Sequence, residues 1–257
     1  MISFVGAGPG APDLITLRGA RRLSEAEVVV WAASLVPVAM LEHCRPDAEL
    51  HDSKVMTLEQ VLAIYAAHPE ARIVRLHSGD PTVYSAVAEQ VDWCVANQRA
   101  FEIVPGVSSM TAAAAAAGAE LTVPGVAQSV VLTRLARRTA ASMPAGEGVA
   151  AMAGHGATMA IFLSAGQPDA LQAELLGAGS AYGPDTPALI AHRVSWPDER
   201  VVRTTVGRLA EDLRGLGAGA TVMVLVGDVL SGVPIPARSH VYSPAYGHTH
   251  RPAADGG

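Results

Sequence analysis

Three short loops contain residue types that suit ligand binding, and each follows or ends an apolar run. The first is GAGPGAPD at residues 6–13, the second is HSGDPTVY at residues 77–84, and the third is VPGVSS at residues 104–109. Glycine lets a ligand approach the backbone closely, while Asp80 and the serines supply polar groups. Because open α/β sheets bind ligands at the carboxyl ends of their strands, the three loops together predict one cleft.

The first loop matches the loose dinucleotide pattern GxGxx[GA], so a nicotinamide cofactor is one interpretation. Pro9 and Pro12 argue against it, since they remove backbone donors and delay the helix whose amides would bind a pyrophosphate. The next apolar run, VVVW at residues 28–31, is followed by AAS and not by a carboxylate for the ribose 2′-hydroxyl. A plain structural turn is a further interpretation of this loop.

The other two loops also have purely structural interpretations. Asp80 followed by Pro81 is typical of a helix N-terminus, and Ser108 suits the cap of the alanine-rich helix that follows. Three such loops at successive strand ends are harder to explain as turns alone, so we favour the cleft. Asp80 is the only acidic side chain of the second loop.

The elements that would position these loops alternate between strands and helices in the first half, which predicts a mostly parallel sheet with helices on both faces. The predicted strands are residues 2–5, 28–31, 72–77 and 101–104. The predicted helices are one carrying Leu14, Leu17, Arg21 and Leu23, then residues 58–67 and 84–96, then the alanine-rich run after Ser108.

A turn-rich connector, LTVPGVAQ at residues 121–128, marks the predicted domain boundary. In the second half, the turn SWPD between two β-rich runs predicts a hairpin and a mixed sheet with helices. The predicted strands are residues 129–133, 158–163, 188–194, 200–205 and 221–226, and the helices are 168–176 and 208–213. The predicted domains are residues 1–120 and 121–235, followed by a partly disordered tail at 236–257.

Composition excludes several classes of protein. The net charge of -6, with only three Trp, five Tyr and three Phe, disfavours nucleic acid as a partner. Cys44 and Cys94 are spaced for neither zinc nor a disulfide framework, which fits a reducing cytoplasm, and no metal site is expected. The N-terminus lacks the pattern of a signal peptide, and the uncharged run at residues 103–119 is broken by Pro105 and Gly106, so no membrane span is predicted.

The three motifs resemble, in order and spacing, those of the tetrapyrrole methyltransferases, which use S-adenosylmethionine. The resemblance covers residues 1 to about 245. It implies two α/β domains, a polycarboxylate tetrapyrrole substrate and a homodimer. Four runs are similar to the members that methylate carbon C11 of a precorrin in cobalamin synthesis: WAASLVP at 31–37, LTR at 132–134, SWPDE at 195–199 and VYSPAY at 241–246.

The resemblance also implies site residues. The implied cofactor contacts are Pro9, Ser78, Gly79, Asp80, Val83, Ser108, Ser109, Leu163 and Val222. For Leu163 and Val222 a plain core position is the alternative. Arg134 is the expected partner of substrate carboxylates, with Arg137 and Arg138 beside it, because guanidinium pairs well with carboxylate. Ser34 is a further candidate for a substrate hydrogen bond. Because the methyl transfer that the resemblance implies depends mainly on alignment, Asp80 is expected to position the cofactor or to act electrostatically, rather than to serve as a base.

One departure from the family matters. Members acting on uroporphyrinogen end the second strand in Tyr-Asp-Arg with the Asp as a proposed base, whereas WAAS stands here, so that base and that substrate do not carry over. Lys54 lies near the position of a proposed proton-donor lysine. Three alternatives stay open at this point: methylation at another corrinoid carbon, a nicotinamide-dependent oxidoreductase and a non-catalytic tetrapyrrole carrier.

Overall fold

The computed structural model divides the chain into two compact units. The first contains Met1–Ala116 and His192–Arg200, and the second contains Ala117–Ala191 and the chain from Val201 onward. The predicted boundary at residue 121 lies close to the first division, but residues 192–200, predicted in the second domain, pack with the first unit. The described residues are 1–136, 140–232 and 239–252.

The first unit is built on a five-stranded sheet in the order β3-β2-β4-β1-β5. Its strands are β1 (Ile2–Gly6), β2 (Val28–Trp31), β3 (Glu49–Asp52), β4 (Ile73–His77) and β5 (Phe101–Val104). Its helices are α1 (Leu17–Glu25), α2 (Leu58–Ala67), α3 (Ala88–Ala96) and α4 (Ser109–Ala116). All four strand pairings are parallel, which confirms the predicted sheet.

Helices cover both faces of this sheet, as predicted. Because successive residues of a strand point to opposite faces, Val29 packs with Leu23 of α1 on one side. On the other side, Val30 packs in a layer with Tyr65 of α2 and Cys94 of α3. Two buried apolar layers therefore hold the sheet and fix the ends of its strands.

Three local predictions for this unit were wrong. No apolar pattern marks β3, because it is an edge strand of mostly polar residues that are all at least partly exposed. Helix α3 begins at Ala88 and not at Tyr84, since Tyr84 (φ 51°) and Ala86 (φ 48°) have left-handed backbone that a helix does not accept. Leu14, predicted on the first helix, lies in a 3-10 turn (Pro12–Leu14) that precedes α1.

The second unit has a mixed five-stranded sheet in the order β6-β7-β10-β8-β9. Its strands are β6 (Val130–Arg134), β7 (Thr158–Phe162), β8 (Pro187–His192), β9 (Arg200–Thr205) and β10 (Val222–Val226). Its helices are α5 (Val149–Ala153), α6 (Pro168–Leu175) and α7 (Leu209–Leu216). The β6–β7 pair is parallel and the β7–β10 pair antiparallel, which confirms the mixed sheet, and β8 lies beside β9 as the predicted hairpin requires.

Apolar side chains of all three helices pack on one face of this second sheet, among them Val149, Leu171 and Leu209. The short helix α5 is absent from the prediction. Within the described part of the predicted tail, a 3-10 turn spans His240–Tyr242. Among the described residues, no helix has the length and apolar character needed to cross a membrane.

Candidate functional site

The three Gly/Pro loops lie at the carboxyl ends of β1, β4 and β5 and bond to one another. Gly8 and Gly79 form an antiparallel bridge in which the Gly79 amide donates to the Gly8 carbonyl at 2.8 Å, and the reverse bond is 3.2 Å. The Ala7 amide donates to the His77 carbonyl at 2.7 Å. The first and second loops are thus joined by backbone bonds.

Two glycines allow the loops to approach this closely. A Cβ on Gly6 would lie 2.6 Å from the Gly79 carbonyl oxygen and from the Gly106 Cα. A Cβ on Gly106 would lie 2.2 Å from the same Gly79 oxygen. Both distances are well inside van der Waals contact, so any side chain at either position would push the loops apart.

Asp80 ties the second loop to the third. Its Oδ2 accepts a hydrogen bond from the Gly106 amide at 2.9 Å, and its Oδ1 accepts from the Thr82 amide at 2.8 Å and from the Thr82 hydroxyl. Burial disfavours the charged carboxylate, but the hydrogen bonds from Thr82 and Gly106 outweigh burial and lower the Asp80 pKa. Asp80 is therefore an ionised anchor with little basicity, and it does not cap α3, which begins eight residues later at Ala88.

The other loop residues with expected cofactor contacts lie around this junction. Pro9 is buried, while Ser78, Val83, Ser108 and Ser109 are half-buried. The Ser108 hydroxyl accepts a hydrogen bond from the Met110 amide at 3.4 Å, so its predicted capping role is present as well. The structure brings all of these residues to one edge of the first sheet.

The amides of the first loop are used within the fold. Those of Ala7 and Gly8 bond to the second loop, and that of Ala11 donates to the Ser195 hydroxyl at 2.9 Å. Since Pro9 and Pro12 have no amide hydrogen, few donors remain in this loop for a pyrophosphate. This geometry argues against a nicotinamide site.

A carboxylate does lie at the end of β2, although the sequence shows none there. Asp52 ends the neighbouring strand β3, and its Oδ1 accepts from the Ala33 amide at 3.1 Å. Hydrogen bonds from the backbone amides of Lys54 and Ala33 lower the Asp52 pKa, and Lys54 Nζ lies 3.2 Å from its Oδ2. Ser34 is exposed in the turn beside this pair. Sequence reasoning missed Asp52 because it missed β3.

Two basic side chains lie on β4 just before the second loop. One guanidinium nitrogen of Arg75 donates to the Ser53 hydroxyl at 2.8 Å and to the Val30 carbonyl at 3.3 Å. Burial and the nearby Arg75 charge lower the pKa of His77 to about 3. His77 is therefore buried and uncharged at neutral pH. Its position in the polar HSGD motif does not indicate this burial.

The site residues expected in the second unit have different surroundings. Leu163 directly follows β7, is 72% exposed and has φ 53°, so it does not occupy a core position. Val222 begins β10 and packs partly buried against the apolar layer under the helices, as a core residue would. Arg134 ends β6 and donates to the Ser142 hydroxyl at 2.9 Å. Arg137 and Arg138 lie outside the described residues.

Comparison with known proteins decides the family. The family model of the Tetrapyrrole (Corrin/Porphyrin) Methylases matches residues 1–210. The chain belongs to this methylase family. The resemblance seen in the three motifs is thereby confirmed.

This methylase is similar to named relatives over nearly its whole length. It is 44% identical over 246 residues to the precorrin-4 C(11)-methyltransferase of Mycobacterium tuberculosis, with 95% of this chain and 96% of the relative covered. A solved cobalt precorrin-4 methyltransferase, a cobalamin biosynthetic enzyme, matches with a TM-score of 0.84 and 39% identity, covering 89% of this chain and 95% of that one.

A second solved structure shows a ligand in a relative of this methylase. The uroporphyrin-III C-methyl transferase of Thermus thermophilus, complexed with S-adenyl homocysteine, matches with a TM-score of 0.71 and 27% identity. The match covers 89% of this chain and 92% of that one. Together with the two sheets described above, these structures confirm the predicted methylase-like α/β fold.

Proposed function

We propose that this protein is an S-adenosylmethionine-dependent methyltransferase that adds a methyl group to C11 of precorrin-4 in cobalamin biosynthesis. The observation that carries the proposal is the junction of three Gly/Pro loops at one sheet edge in a chain of the tetrapyrrole methylase family. Two of the relatives described above are named for precorrin-4 or for its cobalt form. Both forms are therefore substrates for the test.

The loop residues suit the polar and apolar parts of an S-adenosyl ligand. Apart from its chain neighbours, the three atoms nearest to a Cβ built on Gly79 would be the Ser109 amide nitrogen, Ser108 Cα and the Val107 carbonyl oxygen, at 3.8 to 4.0 Å. The space beside Gly79 is thus bordered by a hydrogen-bond acceptor and a donor. The residues that would hold the cofactor are those named from the resemblance: Pro9, Ser78, Gly79, Asp80, Val83, Ser108, Ser109, Leu163 and Val222.

When bound, S-adenosylmethionine supplies an electrophilic methyl group on a positively charged sulfur. The protein's own residues would act mainly by holding the reactants in line, which contributes roughly 7–11 kcal/mol to catalysis in favourable cases. Asp80 serves this alignment by fixing the second and third loops, and its lowered pKa makes it a poor general base. We assign no base to this chain.

Substrate binding has to overcome charge repulsion, because a precorrin is a polycarboxylate and the chain has a net charge of -6. Arg134 at the end of β6 is the proposed carboxylate partner, and Ser34 in the turn after β2 is a proposed hydrogen-bond donor. The proposal extends to a homodimer, as the resemblance implies, and to the cytoplasm, which the spacing of the two cysteines favours. Light scattering would then give twice the mass of one chain.

Calorimetric titration tests the class of ligand. We expect S-adenosylhomocysteine to bind with micromolar affinity and NAD to give no measurable heat, because the amides of the first loop bond within the fold. Tight binding of NAD, or no binding of S-adenosylhomocysteine to the folded protein, would overturn the proposal.

A further inference from the structure

A segment from the second half of the chain lies against the first Gly/Pro loop. We call Arg193 to Glu199 the loop clamp; it follows β8, precedes β9 and packs within the first unit. The Trp196 indole Nε1 donates to the Pro9 carbonyl at 3.0 Å. The Ser195 hydroxyl accepts from the Ala11 amide at 2.9 Å. The clamp thus bonds the loop on both sides of Gly10.

The indole also covers Gly10 itself. A Cβ on Gly10 would lie 2.2 Å from Trp196 Cδ1 and 2.4 Å from its Nε1. Only glycine leaves room for the ring at this position. Pro9 and Gly10 are buried in the folded chain, and the indole ring is part of what covers Gly10.

The clamp is held in shape by its own side chains. The Ser195 amide donates to the Glu199 carboxylate at 2.6 Å, and Arg193 pairs with Asp198 at 2.9 Å. The Arg193 guanidinium lies 4.1 Å from the Trp196 ring centroid, a cation–π geometry. Arg193 (φ 49°) and Ser195 (φ 66°) both have left-handed backbone, which non-glycine residues keep only where surrounding contacts sustain it.

We propose that the loop clamp is a positioning element for ligand binding, with Ser195 and Trp196 as positioning residues that act through Pro9. This inference rests on the proposed function, because it takes Pro9 as a cofactor contact. The clamp fixes the Pro9 carbonyl and the Ala11 amide, two polar groups that would otherwise be open to a bound ligand. It thereby holds the Pro9 ring in one orientation and occupies the Ala11 amide, a donor that a bound phosphate would require.

Ser195→Gly separates positioning from general stability. Glycine accepts φ 66° without strain, which offsets the loss of the acceptor for the Ala11 amide, so the melting temperature is expected to stay close to that of the wild type. Loss of one such bond predicts that the dissociation constant for S-adenosylhomocysteine and the KM for S-adenosylmethionine both rise about threefold to tenfold. A purely structural residue would not weaken binding while stability is retained.

Trp196→Phe provides a second test with a matched control. It keeps a ring over Gly10 but removes the donor to the Pro9 carbonyl, so the same rise in both constants is expected. Trp93→Phe alters another half-buried tryptophan of the first unit, one that packs on Tyr65, and should leave both constants within twofold of the wild type. If both clamp variants fold and both constants stay within twofold of the wild-type values, the proposal is wrong.

Hydrogen exchange keeps this proposal separate from the proposed function. In the absence of ligand, the Ala11 amide should exchange at least about tenfold faster in Ser195→Gly, whereas the Gly79 amide, bonded to Gly8, should be unchanged. If the wild type binds no S-adenosylhomocysteine, the proposed function fails, and this measurement then decides the clamp. Unchanged exchange at Ala11 would show that the clamp does not hold the loop.

Discussion

The Asp80 carboxylate accepts a hydrogen bond from the Gly106 amide at 2.9 Å, which joins two loops that lie 26 residues apart in the chain. The same carboxylate organises its own loop through Thr82. One side chain therefore maintains the junction on which the proposed cofactor site depends. The hydrogen bonds that it accepts favour the ionised carboxylate, so Asp80 acts by positioning the loops and through its negative charge.

Asp80→Ala should weaken both the fold and the binding of ligand. Removing the acceptor leaves the Gly106 amide without its partner, which predicts a loss of about 1–3 kcal/mol in the free energy of unfolding. Affinity for S-adenosylhomocysteine should fall about tenfold, since the loops are no longer tied together. Urea denaturation and calorimetry check the two effects, with Asp92→Asn on exposed α3 surface as a control expected to change neither. If Asp80→Ala binds S-adenosylhomocysteine with wild-type affinity, the second loop is not part of the cofactor site.

Gly106→Ala should destabilise the protein because its methyl group would lie 2.2 Å from the Gly79 carbonyl oxygen. Overpacking of this kind costs about 1–3 kcal/mol. The matched control is Gly215→Ala in α7, where a Cβ meets nothing within 4 Å, and there alanine should stabilise by about 0.5–1 kcal/mol. Denaturant unfolding should show a lower free energy of unfolding for Gly106→Ala and a higher one for Gly215→Ala. Two changes of the same sign would contradict the close approach of the loops.

His77 should make stability depend on pH between about 3 and its ordinary pKa of 6.5. In that window the unfolded chain binds a proton at His77 that the folded chain does not, so stability falls as the pH is lowered. The slope from this residue is at most about 1.4 kcal/mol per pH unit. Unfolding free energies measured from pH 4 to 8 should show a shallower slope for His77→Gln, whereas exposed His155→Gln should follow the wild type. Parallel curves for His77→Gln and the wild type would show that His77 titrates normally in the fold.

Leu163→Gly should lower affinity for the cofactor without a large loss of stability. Leu163 is exposed and has φ 53°, a backbone conformation that glycine adopts more readily, so the free energy of unfolding should change by less than about 1 kcal/mol. If its side chain contacts S-adenosylhomocysteine, the dissociation constant rises severalfold. Leu17→Ala, at a residue 90% exposed, is the control for loss of an exposed apolar side chain. Equal dissociation constants for Leu163→Gly and the wild type would show that the Leu163 side chain does not contribute to cofactor binding.

The sequence predicted the sheets well because buried strands are apolar over several consecutive residues, as in VVVW of β2 and VMVLV of β10. It predicted the loops because glycine and proline mark strand ends. It missed β3, whose four residues ELHD lie at a sheet edge and have no apolar pattern. Because it missed β3, it also missed Asp52. No acidic residue follows Trp31 in the sequence, but the folded chain places the Asp52 carboxylate beside the end of β2.

Contacts between distant parts of the chain were beyond prediction from a single sequence. The SWPD motif predicts a hairpin turn at Trp196, and nothing in the neighbouring residues indicates that its indole bonds to Pro9, 187 residues away. The late start of α3 depends on left-handed backbone at Tyr84 and Ala86, residue types that rarely adopt it. Both features concern the shape of the loops at the site, and in both the tertiary structure overrides local preference.

The transfer of a labelled methyl group tests the central claim most directly. The folded protein is incubated with S-adenosylmethionine carrying a ¹³C methyl group and with precorrin-4 or its cobalt form. NMR of the product then shows which ring carbon carries the labelled methyl group. We predict a single new ¹³C methyl on C11. A methyl on another ring carbon would contradict the proposed specificity, and an unlabelled tetrapyrrole in the presence of bound cofactor would contradict the proposed activity.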